Sequence, residues 1–202
     1  MHIILHQGLG DHIICNGLVR AVAEQHEQVF VPALVNTSAR DSTSLIKYMY
    51  RDNPNINVYD VNGDELKELL SISKRKQNQS KYLMVGYDKP RSMASNFDKW
   101  FYRSAEIDFQ KRFDNFYIER DLSAENDLYN ELTEGEEYIF VHDDPSRNLS
   151  MDYSLIRKDL KIIKNNLNIN FFNYRKIFEN ATELHLMQSG IYDFTNSIRW
   201  TK

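Results

Sequence analysis

Short apolar strands alternate with helical stretches from the first residue, and no other feature limits the possible folds as strongly. Ile3–Leu5 reads as a strand and Asp11–Gln25 as a helix. Val29–Val35 is rich in β-formers, and Ser42–Tyr50 has helical spacing. The turn signal Asn53-Pro54-Asn55 introduces a third strand, Ile56–Val61. A helix over Asp64–Lys76 carries Leu66, Leu69, Leu70 and Ile72, and Tyr82–Tyr87 supplies a fourth strand. Strands joined through helices run parallel, with helices covering both faces of the sheet. Buried parallel strands read as continuous apolar runs, as these do. The expected class is α/β, a Rossmann-like parallel sheet with flanking helices.

The pattern pauses and restarts. Residues 97–117 are dense in aromatic and charged side chains, and Phe109, Phe113 and Phe116 or Tyr117 have the spacing of a helix that packs onto the first sheet. A sharper alternative stacks a sugar on Trp100 or Tyr102. A polar helix over Asp121–Leu132 ends at Thr133-Glu134-Gly135, and a fresh strand opens at Tyr138–His142. Ile162–Asn165 or Ile169–Phe172 offers the next strand. Tyr174–Asn180 follows as a short helix, Glu183–Met187 as a strand and Tyr192–Ile198 as a helix start. Two units are expected, residues 1–134 and 135–202, the second a partial Rossmann-like domain. Neither tandem repeats nor low-complexity tracts interrupt them.

Composition removes several function classes. A net charge of −4 and a pI near 5.9 argue against a nucleic-acid partner. The local cluster Lys74-Arg75-Lys76 reads as a solvated helix end. Cys15 is the single cysteine, which excludes an intrachain disulfide and a cysteine-cluster zinc site. No run of roughly 18 apolar residues is present, so at most a peripheral membrane association is expected. The N-terminus lacks the cationic start and long apolar stretch of a signal peptide, and the expected location is cytoplasmic. Of six histidines only His2, His6 and His12 lie close in sequence. His2 and His6 are assigned to strand packing or the edge of a site, and no metal is expected.

Gly8-Leu9-Gly10-Asp11 follows the first strand. A dinucleotide fingerprint would need a third small residue where Ile13 stands and an acid where Asn36 stands. Asp11 would also repel a pyrophosphate at that helix end. A P-loop would need Gly-Lys-Ser/Thr, which does not follow. Aspartate is a strong N-cap, and Ile13, Ile14, Gly17, Leu18, Ala21 and Val22 form an apolar helical stripe behind it. A carboxylate at a strand's C-terminal edge can also take a proton from an attacking hydroxyl. The two glycines, Gly8 and Gly10, admit a substrate close to the backbone. His12 is the nearest side chain able to bind that acceptor or a phosphate. Asn16 and Arg20, on the same side of the helix, read as structural or interfacial.

This turn resembles the Leu-Gly-Asp turn of the heptosyltransferase-like glycosyltransferases, family nine. The resemblance implies a GT-B fold, two Rossmann-like domains facing across a cleft, with Asp11 as catalytic base and no metal or other cofactor. Residues 138–147, YIFVHDDPSR, resemble the strand and loop that open the family's donor domain, which makes His142, Asp143, Ser146 and Arg147 donor-binding candidates. Arg147 suits the departing diphosphate through charge and paired hydrogen bonds. Residues 183–194, ELHLMQSGIYDF, resemble the family's strand, Asp-Thr-Gly turn and helix. Ser189 and Gly190 fall on Thr-Gly, Gln188 replaces the acid, and the histidine of the next turn is absent.

The implied activity is inverting, metal-independent transfer of a sugar from a nucleotide-diphosphate sugar to a glycan or lipid-linked acceptor. A noncatalytic nucleotide- or glycan-binding relative is the alternative, favoured by the short second half. A different Rossmann-like enzyme, such as a small phosphotransferase, is the third, because fold does not fix function.

Overall fold

The computed structural model describes residues 1–35, 42–75, 81–90, 96–144, 147–198 and 200. The chain divides into two compact units, Met1–Glu119 and Arg120–Lys202. Each is α/β with a wholly parallel sheet.

In the first unit, β1 (His2–Ile4), β2 (Val29–Leu34), β3 (Ile56–Val61) and β4 (Tyr82–Met84) form a sheet of order β3-β2-β1-β4. Register pairs His2 with Phe30 and Tyr82, and Val29 with Ile56. The apolar runs that suggested strands are the core: Ile3, Ile4, Leu5, Val29, Val31 and Ala33 are fully buried. α1 (Leu9–Ile14) packs beside α3 (Ser42–Met49), and α2 (Asn16–Ala23) also lies on the sheet. α4 (Gly63–Ser73) runs across β3, β2 and β4, its Ser73 hydroxyl 2.9 Å from Met84 Sδ. A capping box starts α4: Asn62 Oδ1 accepts from the Asp64 and Glu65 N–H groups, and Glu65 accepts from the Asn62 N–H.

The helix expected over Asp11–Gln25 begins earlier and is broken at Cys15. Tyr102 causes the break. Its hydroxyl accepts from the Leu18 N–H at 3.1 Å and donates to the Ile14 carbonyl at 3.0 Å. Those are the two ends of one helical rung, so the hydroxyl is inserted into the ladder, a recognised cause of kinks. Every residue from Asp11 to Ala23 is buried. The polar stripe is absorbed structurally. Asn16 Oδ1 accepts from the Tyr117 N–H at 3.0 Å, and Arg20 makes a two-pronged pair with Asp52 and a 3.0 Å bond to the Met49 carbonyl.

The 97–117 segment is two helices rather than one, α5 (Phe97–Ser104) and α6 (Lys111–Asp114). Glu106 adopts φ 56°, and the Ile107 and Glu106 N–H groups bond back to the Tyr102 and Arg103 carbonyls, a Schellman ending. This segment packs onto the first unit as expected. Trp100 and Tyr102 are 2% and 0% exposed, which overturns the sugar-stacking alternative, since neither ring presents a face.

In the second unit, α7 (Leu122–Thr133), expected as a connector, packs on the later elements through Glu125, which pairs with Arg120 beside Glu179. The unit division therefore falls before α7. β5 (Tyr138–His142), β6 (Lys161–Lys164) and β7 (Glu183–Leu186) form a sheet of order β6-β5-β7. Of the two expected sites for the middle strand, the first is used. Phe171–Tyr174 is instead a 3-10 turn leading into α8 (Arg175–Asn180), because Asn170 Oδ1 accepts from the Phe172 N–H. α9 is Gly190–Ser197. One sheet face buries Ile139 and Val141 with Ile156, and the other packs Phe140 on Tyr174 and Phe178.

Gly17 sets the fit of α2 against α6: an added Cβ would stand 2.2 Å from the Lys111 carbonyl oxygen, which is backbone and cannot swing away. Gly17→Ala should lower unfolding stability by about 1–3 kcal/mol. Gly63→Ala, in open space at the start of α4, should be neutral or stabilising by up to about 1 kcal/mol. Denaturant melts of the two variants check this, and equal midpoints would contradict it.

Candidate functional site

Parallel strands all end at one edge, and in both sheets the order reverses beside the first strand. β1 is flanked by β2 and β4, and β5 by β6 and β7. Loops leaving neighbouring strands diverge at such a reversal and open a crevice, the usual ligand position in open α/β sheets.

At the first reversal, His6 Nε2 lies 2.8 Å from the Gly86 carbonyl and its ring stacks on Tyr87, centroids 4.6 Å apart. Tyr87 donates to the Leu5 carbonyl at 3.1 Å. Gly86 has φ 76°, and a Cβ there would press on the Phe101 ring at 2.7 Å. His6 thus forms the edge of the crevice, and His2 packs between Phe30 and Tyr82 within the sheet.

Asp11 is not the N-cap. Gly8 holds that position with φ −73° and ψ 142°, and the first rung joins the His12 N–H to the Gly8 carbonyl at 3.1 Å. Leu9 and Gly10 are helical, so Asp11 sits in the first turn, where the dipole favours an anion. Its carboxylate lies back over Gly8, an exposed residue: a Cβ on Gly8 would be 2.8 Å from Asp11 Oδ2. Asp11 itself is 7% exposed. His12, expected at the ligand, is fully buried with neither ring nitrogen hydrogen-bonded, and burial pushes its pKa down to about 4. It is a neutral interior side chain.

The second reversal gathers more of the expected residues. His142, 2% exposed, holds Asn165 Oδ1 at 2.8 Å through Nδ1. Asp143 accepts from the Met151 N–H at 2.8 Å, the Tyr153 hydroxyl at 2.6 Å and Lys164 at 3.1 Å. Partial burial works to raise its pKa, but the Tyr153, Met151 and Lys164 hydrogen bonds outweigh that and hold it below the usual range. Asp143 is therefore committed to its own loop. Arg147 Nε donates to Asp144 at 2.6 Å, and its Nη2 donates to the Gln188 carbonyl. That second bond spans from the β5 loop to the β7 loop. Nη1 keeps no partner among the described residues.

Ser189 is the N-cap of α9 and Gly190 its first residue. The Ser189 hydroxyl makes no capping bond and is buried without a partner. Ser146 and Asn36 lie outside the described residues. The Asp11 group belongs to the first unit and the Arg147 group to the second. Asn165, Lys164 and Tyr153 were missed by sequence reasoning. Asn165 and Lys164 are marked only by their place at the end of β6, and Tyr153, in a 3-10 turn of the β5–β6 connection, by nothing local.

Among the described residues, no three His, Cys, Asp or Glu side chains group as a metal site, and no helix is long and apolar enough to cross a membrane. Comparison with protein-family models, curated proteins and solved structures gives no match.

A carboxyl group held below its unfolded value contributes stability that is complete above that value, about 3.9. The contribution is lost as pH falls through the lower folded value. Asp143→Asn should therefore melt earlier than the parent at pH 7, and the gap should close below about pH 4. A gap that persists at pH 2 would contradict the assignment.

Proposed function

We propose that the chain is an inverting, metal-independent glycosyltransferase of the GT-B type, using a nucleotide-diphosphate sugar and a glycan or lipid-linked acceptor. The observation that carries this reading is Arg147, latched across the β5–β7 crevice onto the Gln188 carbonyl, two residues before the uncapped α9 begins. A guanidinium beside open first-turn N–H groups suits a diphosphate.

In inverting transfer the acceptor oxygen attacks the anomeric carbon and gives its proton to a base, while the bond from that carbon to the diphosphate oxygen breaks on the opposite face. The first unit offers Asp11 for the base, and the second offers Arg147 Nη1 and the N-terminus of α9 for the charge of a diphosphate. Gly8, having no side chain, leaves the Asp11 carboxylate its place at the helix start.

The 7% exposure of Asp11 favours the second reading, a noncatalytic binding relative. Turnover decides between them. Thermal shift with ADP, GDP and UDP and their glucose conjugates should raise the melting point under either reading. Arg147→Ala should weaken that binding about tenfold or more. Asp11→Asn should keep donor binding and lose roughly 10²–10⁴ in turnover. Full turnover in both Asp11→Asn and Asp11→Ala overturns the base assignment, and no shift with any nucleotide overturns the donor site.

A further inference from the structure

Among the described residues of the second unit, three buried side-chain atoms have no hydrogen-bond partner: His142 Nε2, Asn173 Oδ1 and Ser189 Oγ. The elements that carry them pack on one face of the second sheet. Side chains alternate along β5, so Tyr138, Phe140 and His142 point the same way. That face is the one under α8, since Tyr138 donates to the Ile177 carbonyl and Phe140 packs on Tyr174 and Phe178. α9 lies on it too, through Phe194 against Phe171, Phe172 and Phe178. Asn173 sits in the turn that starts α8, and Ser189 caps α9. The Met187 N–H bonds the His142 carbonyl at 3.4 Å, which sets the β7–α9 junction beside His142.

Native interiors leave few such atoms unpaired, and each asks for a ligand or a trapped water. The chemistry of the histidine is specific. Asn165 Oδ1 can only accept, so Nδ1 of His142 donates to it, and in the Nδ1-protonated tautomer Nε2 is left as an acceptor. An acceptor of this kind repels phosphate oxygens and calls for a donor.

We infer that His142, its tautomer set by Asn165, accepts a hydrogen bond from a hydroxyl of the ligand's ribose or transferred sugar and is the specificity-determining residue of the donor edge. This rests on the donor reading above and moves His142 from the phosphates to the sugar hydroxyls. Among the described residues His142 Nε2 has no protein partner, so a matching hydroxyl supplies one and its absence leaves the acceptor unpaired.

The test compares inorganic pyrophosphate, the three nucleoside diphosphates and their glucose conjugates on the full chain and on His142→Phe, by calorimetry. The variant should lose roughly tenfold in affinity for a hydroxyl-bearing ligand and bind pyrophosphate unchanged. Loss already present with the nucleoside diphosphate assigns the contact to ribose. Loss confined to the glucose conjugate assigns it to the sugar. Unchanged affinity throughout, or equal loss for pyrophosphate, overturns the inference while leaving the donor site standing. If the parent binds none of these ligands, the donor reading itself has failed. Ligand-free 15N spectra give a readout that does not depend on the variant folding. They should show the His142 proton on Nδ1, and Asn165→Leu should release it to Nε2. A parent proton already on Nε2 overturns the inference.

Discussion

Parallel pairing obliges every strand of a sheet to finish at the same edge, and that constraint organises the rest of this molecule. It forces a crossover between successive strands, helical throughout the first unit and a long loop with a 3-10 turn between β5 and β6, and so buries the central strands β1 and β5. It also delivers the chain segments least bound by secondary structure to one edge, four strand ends in the first unit and three in the second. At each reversal of strand order the crossovers diverge. The polar residues that follow β1, β5 and β7 are concentrated there rather than spread over the surface.

The two edges are furnished differently. The first is closed by aromatic packing, with His6, Tyr87 and Phe101 around Gly86 and a carboxylate folded over Gly8. The second is polar and only partly satisfied. Asp143 and Asp144 are taken up by their own loop, whereas His142, Ser189 and one arm of Arg147 retain capacity. Unsatisfied buried groups cost stability. Their retention beside an uncapped helix start is the physical reason to place ligand chemistry at this edge. The glycosyl transfer we propose asks for a general base and for charge stabilisation on a diphosphate, and each edge holds a candidate for one of them.

Most strands were readable to within a residue or two, because apolar runs such as Val29–Leu34 and Tyr138–His142 have few alternatives to burial, whereas the strand expected over Tyr82–Tyr87 ends at Met84. Helix ends were less so. The break at Cys15 has no local signal, since it depends on a tyrosine hydroxyl arriving from far along the chain. Glu106 in the left-handed region ends α5 where glycine would have announced it. Asp11 looked like a cap, yet backbone geometry gives that place to Gly8, because Leu9 and Gly10 continue the helix backwards. Similarly, α7 read as a connector, and only tertiary packing, Glu125 with Arg120, Tyr129 on Tyr138 and Asn126 with Lys176, attaches it to the second unit.

The sequence by itself determined the α/β class, the parallel order of construction and the positions where loops carry polar residues, because hydrophobic periodicity is local and each strand announces itself. Tertiary structure alone decided that two expected ligand-binding residues are spent on the fold: His12 disappears into the interior and Asp143 binds its own loop. It likewise supplied the partners of Asn16 and Arg20, already read as structural. It also decided that His142 meets Asn165. Those outcomes depend on partners distant in the chain, and a hydrogen bond between distant residues leaves no periodicity to read.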